Sequence, residues 1–208
     1  MFDSGISVKN LLSELNTEVD IALDIPDATY VQWLNSLQQL LYTEFIKEQK
    51  RVVIVSPTEN PIEMDFTSEE TNENPPRFED IHAVYADEIQ LIKSTVTSGI
   101  IFPYTYFKDN NKIGYNTTRT VDGAMIVPGE LQIVYFVKPK LIDSENIADN
   151  DNVMIPIEFI DLVKAKLRGE AYKLANEDSL SSKWLNDYNV LLETFKLWLS
   201  EKASNFGL

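Results

Sequence analysis

Residues 155–205 read IPIEFIDLVKAKLRGEAYKLANEDSLSSKWLNDYNVLLETFKLWLSEKASN, and the spacing of their apolar side chains decides the fold. Apolar residues recur every three or four positions, which places them on one face of a helix. The first series is Ile160, Val163, Leu167, Ala171 and Leu174, and the second is Trp184, Tyr188, Leu191, Phe195 and Trp198. The polar run 176–179 predicts a turn and a helix N-cap between them. The stretch therefore predicts a helical hairpin.

The apolar faces of this hairpin need a further helical layer, which residues 27–50 can supply. Asp27 is a favourable N-cap residue, and apolar side chains follow it at helical spacing. These side chains are Tyr30, Leu34, Leu37, Leu41 and Phe45. We expect this helix to reach residue 50, where Lys47, Lys50 and Arg51 would complement the negative end of its dipole. A shorter helix is predicted at 7–15.

Between residues 51 and 142 the apolar period changes from 3.6 to 2, which is typical of strands. The predicted strands are 52–55, 62–66, 81–86, 89–93, 102–107, 112–115, 124–127 and 131–137. Asp87 and Glu88 separate two of them and predict a tight hairpin, and Pro128 and Gly129 predict another. The strand 131–137 is apolar at nearly every position, so we expect both of its faces to be covered.

The order of these elements predicts an α+β fold in one composite domain. Residues 1–50 hold the N-terminal helices, 51–142 form a β-rich insertion, 143–154 form a solvated acidic linker, and 155–208 hold the C-terminal helical hairpin and tail. We expect the N- and C-terminal helices to form a helical bundle with an inserted antiparallel β-rich subdomain. The acidic stretch 67–77 is predicted to be an exposed loop of unassigned role.

The composition argues against several classes of protein. The chain has 208 residues, of which 44% are hydrophobic, so it can bury a substantial core. No run of about 18 apolar residues is present, so we expect no membrane span, and residues 1–10 do not predict a signal peptide. Cysteine is absent, which fits synthesis in the cytoplasm. The formal net charge of −15 argues against a general nucleic-acid binder.

A search for catalytic and metal-binding patterns finds little. His82 is the single histidine, and it lies on a predicted strand, where a structural or surface role is the more common one. Zinc with nitrogen or sulfur ligands is not expected, and the run DNDN at 149–152 lacks the glycine and glutamate of a calcium-binding loop. We predict no catalytic residue, no metal and no cofactor. With 33 acidic residues in the chain, an acid–base hydrolase that uses a carboxylate pair stays open as an alternative.

Two stretches resemble the head-to-tail adaptor (connector, or tail accessory factor) proteins of tailed bacteriophages. They are DGAMIVPGELQIVYFVKPK at 122–140 and IPIEFIDLVKAKLRGEAYKLANED at 155–178, which a helix containing tryptophan and tyrosine follows. The resemblance is one of order and turn residues, and it extends over residues 28–200. It implies a structural virion protein and not an enzyme. Such a protein assembles in the host cytoplasm and joins the portal to the tail in the neck of the virion.

The same resemblance implies the partners of the chain. Adaptors of this family form rings, commonly of twelve copies, in which the helical part packs on the portal protein and the β part contacts the next tail or neck protein. Double-stranded DNA passes through the ring, and the acidic character of this chain predicts passage without tight binding. A tail or baseplate assembly protein with a similar β-rich surface is a further alternative.

Four residues are candidates for contact with partner proteins, namely Lys164, Arg168, Phe206 and Leu208. The first two lie with Lys166 and Lys173 on one predicted helix, where they form either a binding stripe or a solvated face. The last two end a polar tail that either frays or docks into a neighbouring subunit. Ala165 and Gly169 lie four residues apart and predict a close helix approach, either within the chain or between subunits.

Overall fold

A computed structural model describes residues 3–18, 25–63, 81–94, 103–109, 112–118, 126–139 and 141–206 of the chain. The fold is α+β, as the sequence predicts, and it divides into two compact units. The helical unit comprises Met1–Ile46 and Pro139–Leu208, and the sheet unit comprises Lys47–Lys138. The predicted loop 67–77 and the start of the predicted strand 124–127 lie outside the described residues.

The described residues of the helical unit form four α-helices and two short helical turns. The helices are α1 (Val8–Glu18), α2 (Asp27–Leu41), α3 (Ile160–Leu174) and α4 (Asp178–Phe206). A π-helical turn at Tyr42–Ile46 follows α2, and a 3₁₀ turn at Ile157–Phe159 precedes α3. The predicted helical hairpin is therefore confirmed as α3 and α4.

The hairpin of α3 and α4 is built around a close contact between the two helices. A Cβ atom on Gly169 would lie 2.7 Å from Leu185 Cδ2, so any larger residue at this position would require the Leu185 side chain to shift. The Ser181 hydroxyl donates a hydrogen bond of 2.9 Å to the Gly169 carbonyl oxygen. Asn176 adopts a φ of 59° in the turn, a conformation that asparagine tolerates well. The close approach predicted from Gly169 is thus packing within the chain.

The core of the helical unit draws its buried side chains from all four helices. Phe195 is fully buried, and its ring centroid lies 4.9 Å from that of Phe159 and 6.1 Å from that of Trp198. The predicted apolar faces are mostly confirmed, with Leu174 as an exception because it is 52% exposed at the end of α3. Burial of such aromatic groups supplies much of the stabilisation of a helical core.

The predicted solvated linker 143–154 is wrong in its second half, which is tied into the helical unit. Val8 donates its amide hydrogen to the Asp151 carbonyl oxygen at 2.8 Å, and Val153 donates to the Ile6 carbonyl oxygen at 3.0 Å. The Gln38 side-chain oxygen accepts a hydrogen bond of 2.5 Å from the Met154 amide. Val153 is also fully buried, so backbone pairing and apolar burial together order this segment.

The sheet unit holds seven described strands in one sheet. They are β1 (Gln49–Val55), β2 (Ile62–Glu63), β3 (Ile81–Ala86), β4 (Ile89–Lys93), β5 (Thr105–Asp109), β6 (Lys112–Asn116) and β7 (Glu130–Phe136). Their order across the sheet is β1-β7-β3-β4-β5-β6-β2. Neighbours pair antiparallel, as predicted, except β4 and β5, which pair parallel. Strands β1 and β2 therefore form the two edges of the described sheet.

Two predicted hairpins of the sheet have different outcomes. The hairpin of β3 and β4 is confirmed, and its turn residues Asp87 and Glu88 have φ values of 47° and 69°. The hairpin across Pro128 and Gly129 is wrong, because β7 pairs with β1 and β3 instead. Residues of β7 alternate between buried and half-buried, so the expected cover is complete on one face and partial on the other. Distant pairings, which local spacing does not reveal, determine the neighbours of β7.

The second helix ends earlier than the sequence predicts. It stops at Leu41, and β1 already begins at Gln49 and pairs with β7 along its whole length. Lys50 and Arg51 therefore lie on a strand, and Lys47 precedes it with a φ of 46°. The prediction is therefore wrong for Lys50 and Arg51, whereas Lys47 directly follows the π-helical turn Tyr42–Ile46 that continues α2.

Candidate interaction surfaces

The structure places His82 on β3, where its side chain is exposed and its ring centroid lies 5.1 Å from that of Phe136. It lines an open cleft of about 500 Å³ together with side chains of β3, β4 and β5. The lining consists of Ile81, His82, Ala83, Gln90, Leu91, Ile92, Lys93 and Tyr106. No carboxylate is among these residues, so the cleft gives no support to a hydrolase with a carboxylate pair. Within the described ranges, no three His, Asp or Glu side chains are grouped to hold a metal ion.

The candidate cations of α3 contact other side chains of the helical unit. Lys164 forms an ion pair with Glu14 of α1, and its side chain is only 17% exposed. Lys166 forms an ion pair of 2.7 Å with Glu170. The guanidinium of Arg168 lies 4.6 Å from the ring centroid of Trp184. Burial lowers the pKa of this guanidinium from its ordinary value.

These contacts bear on the predicted stripe of basic residues. Lys164 and Arg168 each contact a side chain from another helix, so they contribute to packing within the helical unit. Lys173, in contrast, is exposed. Their role in binding a partner remains a prediction. Phe206 is the last residue of α4, and Leu208 lies outside the described residues.

The solvent-exposed side of α4 carries two large apolar side chains. Val190 and Leu197 are 69% and 65% exposed and lie seven residues apart, which places them on the same side of the helix. Glu193 and Thr194 lie between them and are also exposed. Two apolar side chains separated by polar ones are common on monomeric proteins and do not by themselves define an interface.

The outer edge of β1 is the most complete candidate for an interaction surface. The Val137 amide donates to the Glu48 carbonyl oxygen and the Ser56 amide donates to the Gly129 carbonyl oxygen, each at 2.8 Å. In an antiparallel pair, alternate residues of a strand direct their amide and carbonyl groups to opposite sides. These two bonds show that the even-numbered residues of β1 direct their backbone groups toward β7. The odd-numbered residues direct their backbone groups away from β7, and they are Gln49, Arg51, Val53 and Val55. No described strand pairs with this edge.

The side chains along this edge combine positive charge with apolar surface. Val53 is 46% exposed and Val55 is 72% exposed. Lys47, Lys50 and Arg51 are exposed at the other end of the strand, although the chain as a whole has a net charge of −15. An exposed edge strand with β-branched side chains is a template for pairing with another chain. We define Lys47, Lys50, Arg51, Val53 and Val55 as the β1 edge surface.

Sequence reasoning located a strand at 52–55 but missed this surface. The assignment of Lys47, Lys50 and Arg51 to a helix end separated the cations from the valines that follow them. The run QKRVVIV at 49–55 contains the signal, since it joins two cations to four consecutive β-branched residues. That β1 lies at an edge depends on long-range pairing, which the run itself does not show.

The other edge of the described sheet, at β2, has two acidic side chains, one of which is opposite a lysine on β6. Strand β2 pairs with β6 on one side, through Ile62 with Ile113 and Glu63 with Lys112. Glu59 and Glu63 are both exposed at this edge. No described strand pairs with the other side of β2. Lys112, which is also exposed, offsets part of the negative charge at this edge.

Comparison with known proteins does not assign the chain to a family. No protein-family model matches it, and no curated protein is significantly similar to it. Among the helices that the structure describes, none combines the length and the apolar character needed to cross a membrane. The function is therefore proposed from the residues of the chain itself.

Proposed function

We propose that this chain is a structural virion protein, a head-to-tail adaptor subunit that forms a ring between the portal and the tail of a tailed bacteriophage. The main support is the order of features along the sequence, with the stretches 122–140 and 155–178 resembling that family. The division into a helical unit and a sheet unit is compatible with a helical bundle that carries a β-rich insertion. The β1 edge surface supplies a place where subunits can join.

In this function each unit has a different partner. The helical unit packs on the portal protein, where exposed residues of α4 such as Val190 and Leu197 are available for contact. The sheet unit contacts neighbouring copies and the next neck or tail protein. A ring of identical copies requires a head-to-tail interface, in which two different surfaces of the same subunit meet. The protein acts in the virion neck after assembly in the host cytoplasm.

The charge of the chain suits a channel for DNA. Duplex DNA carries one negative charge for about 1.7 Å of its axis, and proteins hold it by placing Lys and Arg on the phosphates. A subunit with a net charge of −15 repels the duplex over a screening length of about 8 Å at physiological salt. DNA therefore passes without tight contacts that would slow packaging and ejection.

The ring is tested by native mass spectrometry of the purified chain, alone and mixed with the portal protein of the same phage. We expect a complex in which several copies of the chain bind one portal ring, with twelve as the count that the resemblance implies. The isolated chain can stay monomeric, because the portal provides a symmetric template. A chain that stays monomeric with its portal present, and that is missing from the necks of purified virions, would contradict the proposed function.

The channel is tested separately by titration with duplex DNA at low salt. We expect no measurable affinity for the isolated chain or for the ring on its portal. Tight binding that weakens steeply as salt increases would show that Lys and Arg side chains contact phosphates. That result would overturn passage of DNA along a repelling wall, and it would leave the adaptor ring itself intact.

A further inference from the structure

We propose that the cleft between β3, β4 and β5 binds a carboxylate group that is attached to an apolar body. A free aliphatic acid has this chemistry, and so does a glutamate side chain between apolar residues of a partner protein. The inference goes beyond the proposed function, because it concerns the isolated chain and needs no ring. Three observations on the sheet unit carry it.

The first observation is that the cleft lies where β4 passes from one neighbouring strand to another. The ladder between β3 and β4 ends at Val84 and Leu91. Beyond that point β4 pairs with β5, and the Ile92 amide donates to the Tyr104 carbonyl oxygen at 2.8 Å. Backbone groups of consecutive residues point to opposite sides of a strand, so Lys93 directs its amide and carbonyl groups toward β3. A backbone donor therefore faces the gap between the two strands.

The second observation is that the polar side chains of the described lining are hydrogen-bond donors. They are His82, Gln90, Lys93 and Tyr106, and no carboxylate competes for them among the described residues of the lining. Tyr106 is only 4% exposed, and burial raises the pKa of its hydroxyl, which therefore stays protonated and able to donate. Lys93 adds a positive charge, although the chain has a net charge of −15. This set of donors favours an anionic ligand.

The third observation is that the rest of the described lining is apolar. It consists of Ile81, Ala83, Leu91 and Ile92, and Ile92 is 70% exposed. The volume of about 500 Å³ is within the usual range of ligand sites, which combine mostly apolar walls with a few polar groups. Inorganic phosphate or sulfate would leave these apolar side chains uncovered. A carboxylate on an apolar body contacts both the donors and the apolar side chains.

An NMR titration of the isolated chain tests the site, because the single histidine of the chain lines the cleft and gives one set of ring signals. Hexanoate is the probe, with hexanol as the matched neutral probe and acetate as the matched probe without an apolar body. The peptide amides acetyl-Leu-Glu-Leu and acetyl-Leu-Gln-Leu present the same contrast on a side chain. Lys93→Met removes the cation of the cleft, and Lys50→Met on β1 is the matched control, since both lysines are exposed.

We expect hexanoate to shift the His82 ring signals and the Lys93 amide signal at lower concentrations than acetate does, and hexanol to leave them unchanged. Lys93→Met should weaken hexanoate binding by about tenfold, through the loss of a charge-assisted hydrogen bond, and Lys50→Met should not. Tighter binding of acetyl-Leu-Glu-Leu than of hexanoate would identify the source of the carboxylate as a partner protein, and the reverse order would identify it as a free acid. Equal shifts with hexanoate and hexanol would overturn the inference. Unchanged affinity in a Lys93→Met variant with native circular dichroism would overturn it as well.

Discussion

The two units of this protein each have a buried apolar core, but they differ in the backbone groups that they present to solvent. In the helical unit, a buried cluster joins α1, α2, α3 and α4 with the segment that precedes α3. In the sheet unit, the described cluster centres on β3, β6 and β7, while Val55 and Ile92 remain 72% and 70% exposed. Both units thus have a core, whereas only the sheet unit has a strand edge, that of β1, with which no described strand pairs. In the proposed function, this edge makes the sheet unit the place where subunits join.

The largest expected effect is the loss of Phe195 from the core of the helical unit. Phe195→Ala removes a fully buried ring that packs on Phe159 and Trp198. We expect the free energy of unfolding to decrease by about 3–5 kcal/mol, through lost burial and the cavity that remains. Chemical denaturation followed by circular dichroism measures the change.

Leu197→Ala is the matched control on the same helix, because Leu197 is 65% exposed. We expect it to change the free energy of unfolding by less than about 0.5 kcal/mol. Equal effects of the two substitutions would mean that the buried face of α4 is an interface and not an interior.

A pair of substitutions in the sheet unit separates its stability from its role in assembly. Ile133 on β7 is fully buried, so Ile133→Ala should destabilise the protein by about 2–5 kcal/mol. Val55→Ser at the exposed edge should change stability by less than about 0.5 kcal/mol but reduce the number of copies bound to the portal ring. Thermal unfolding and native mass spectrometry measure the two effects. If the Val55→Ser variant binds the portal ring in the same number of copies as the unmodified chain, the β1 edge does not contribute to assembly.

Gly169→Ala tests the close approach of α3 and α4. The added Cβ would lie 2.7 Å from Leu185 Cδ2, and overpacking of this kind costs about 1–3 kcal/mol. Alanine has the better helix propensity, by about 1 kcal/mol, which offsets part of the cost. We expect a net loss of stability of about 2 kcal/mol at most. In a double-mutant cycle, Leu185→Ala should be coupled to Gly169→Ala, and the absence of coupling would show that the two side chains do not compete for this space.

The smallest expected effect concerns an exposed ion pair of the helical unit. Lys9 donates a hydrogen bond of 2.6 Å to Asp149 and holds the pKa of this carboxyl below its ordinary value. Since the folded-state pKa is lowered, the pair stabilises the fold above the unfolded-state pKa, and this contribution is lost as the pH falls through the folded-state pKa. Lys9→Met should raise the pKa of Asp149 in an NMR titration, with Lys173→Met as a control that leaves it unchanged. The stability of the fold should scarcely respond, because the pair is solvent-exposed.

Local patterns account for the parts of the structure that sequence reasoning predicted. The hairpin of α3 and α4 has a long series of apolar residues at helical spacing, and this period is a strong signal in a segment of that length. The hairpin of β3 and β4 has two turn residues between alternating strands, which fixes its register. Each of these features involves residues close together in sequence.

Distant contacts account for the parts that sequence reasoning missed. Gln49 pairs with Phe136, so the neighbours of β7 could not be inferred from the turn residues beside it. Residues 151–153 are ordered by pairing with residues 4–8 at the other end of the chain. The candidates Lys164 and Arg168 contact Glu14 and Trp184, which helical spacing alone does not reveal.

Amide hydrogen exchange in β1 tests most directly whether the sheet unit is the place where subunits join. In the isolated chain, the outward-facing amides of Arg51, Val53 and Val55 should exchange rapidly, and those of Val52 and Ile54 should exchange slowly because they face β7. In the ring on its portal, we predict that the outward-facing amides become as protected as their neighbours. Exchange of these amides at the same rapid rate in both states would contradict the account.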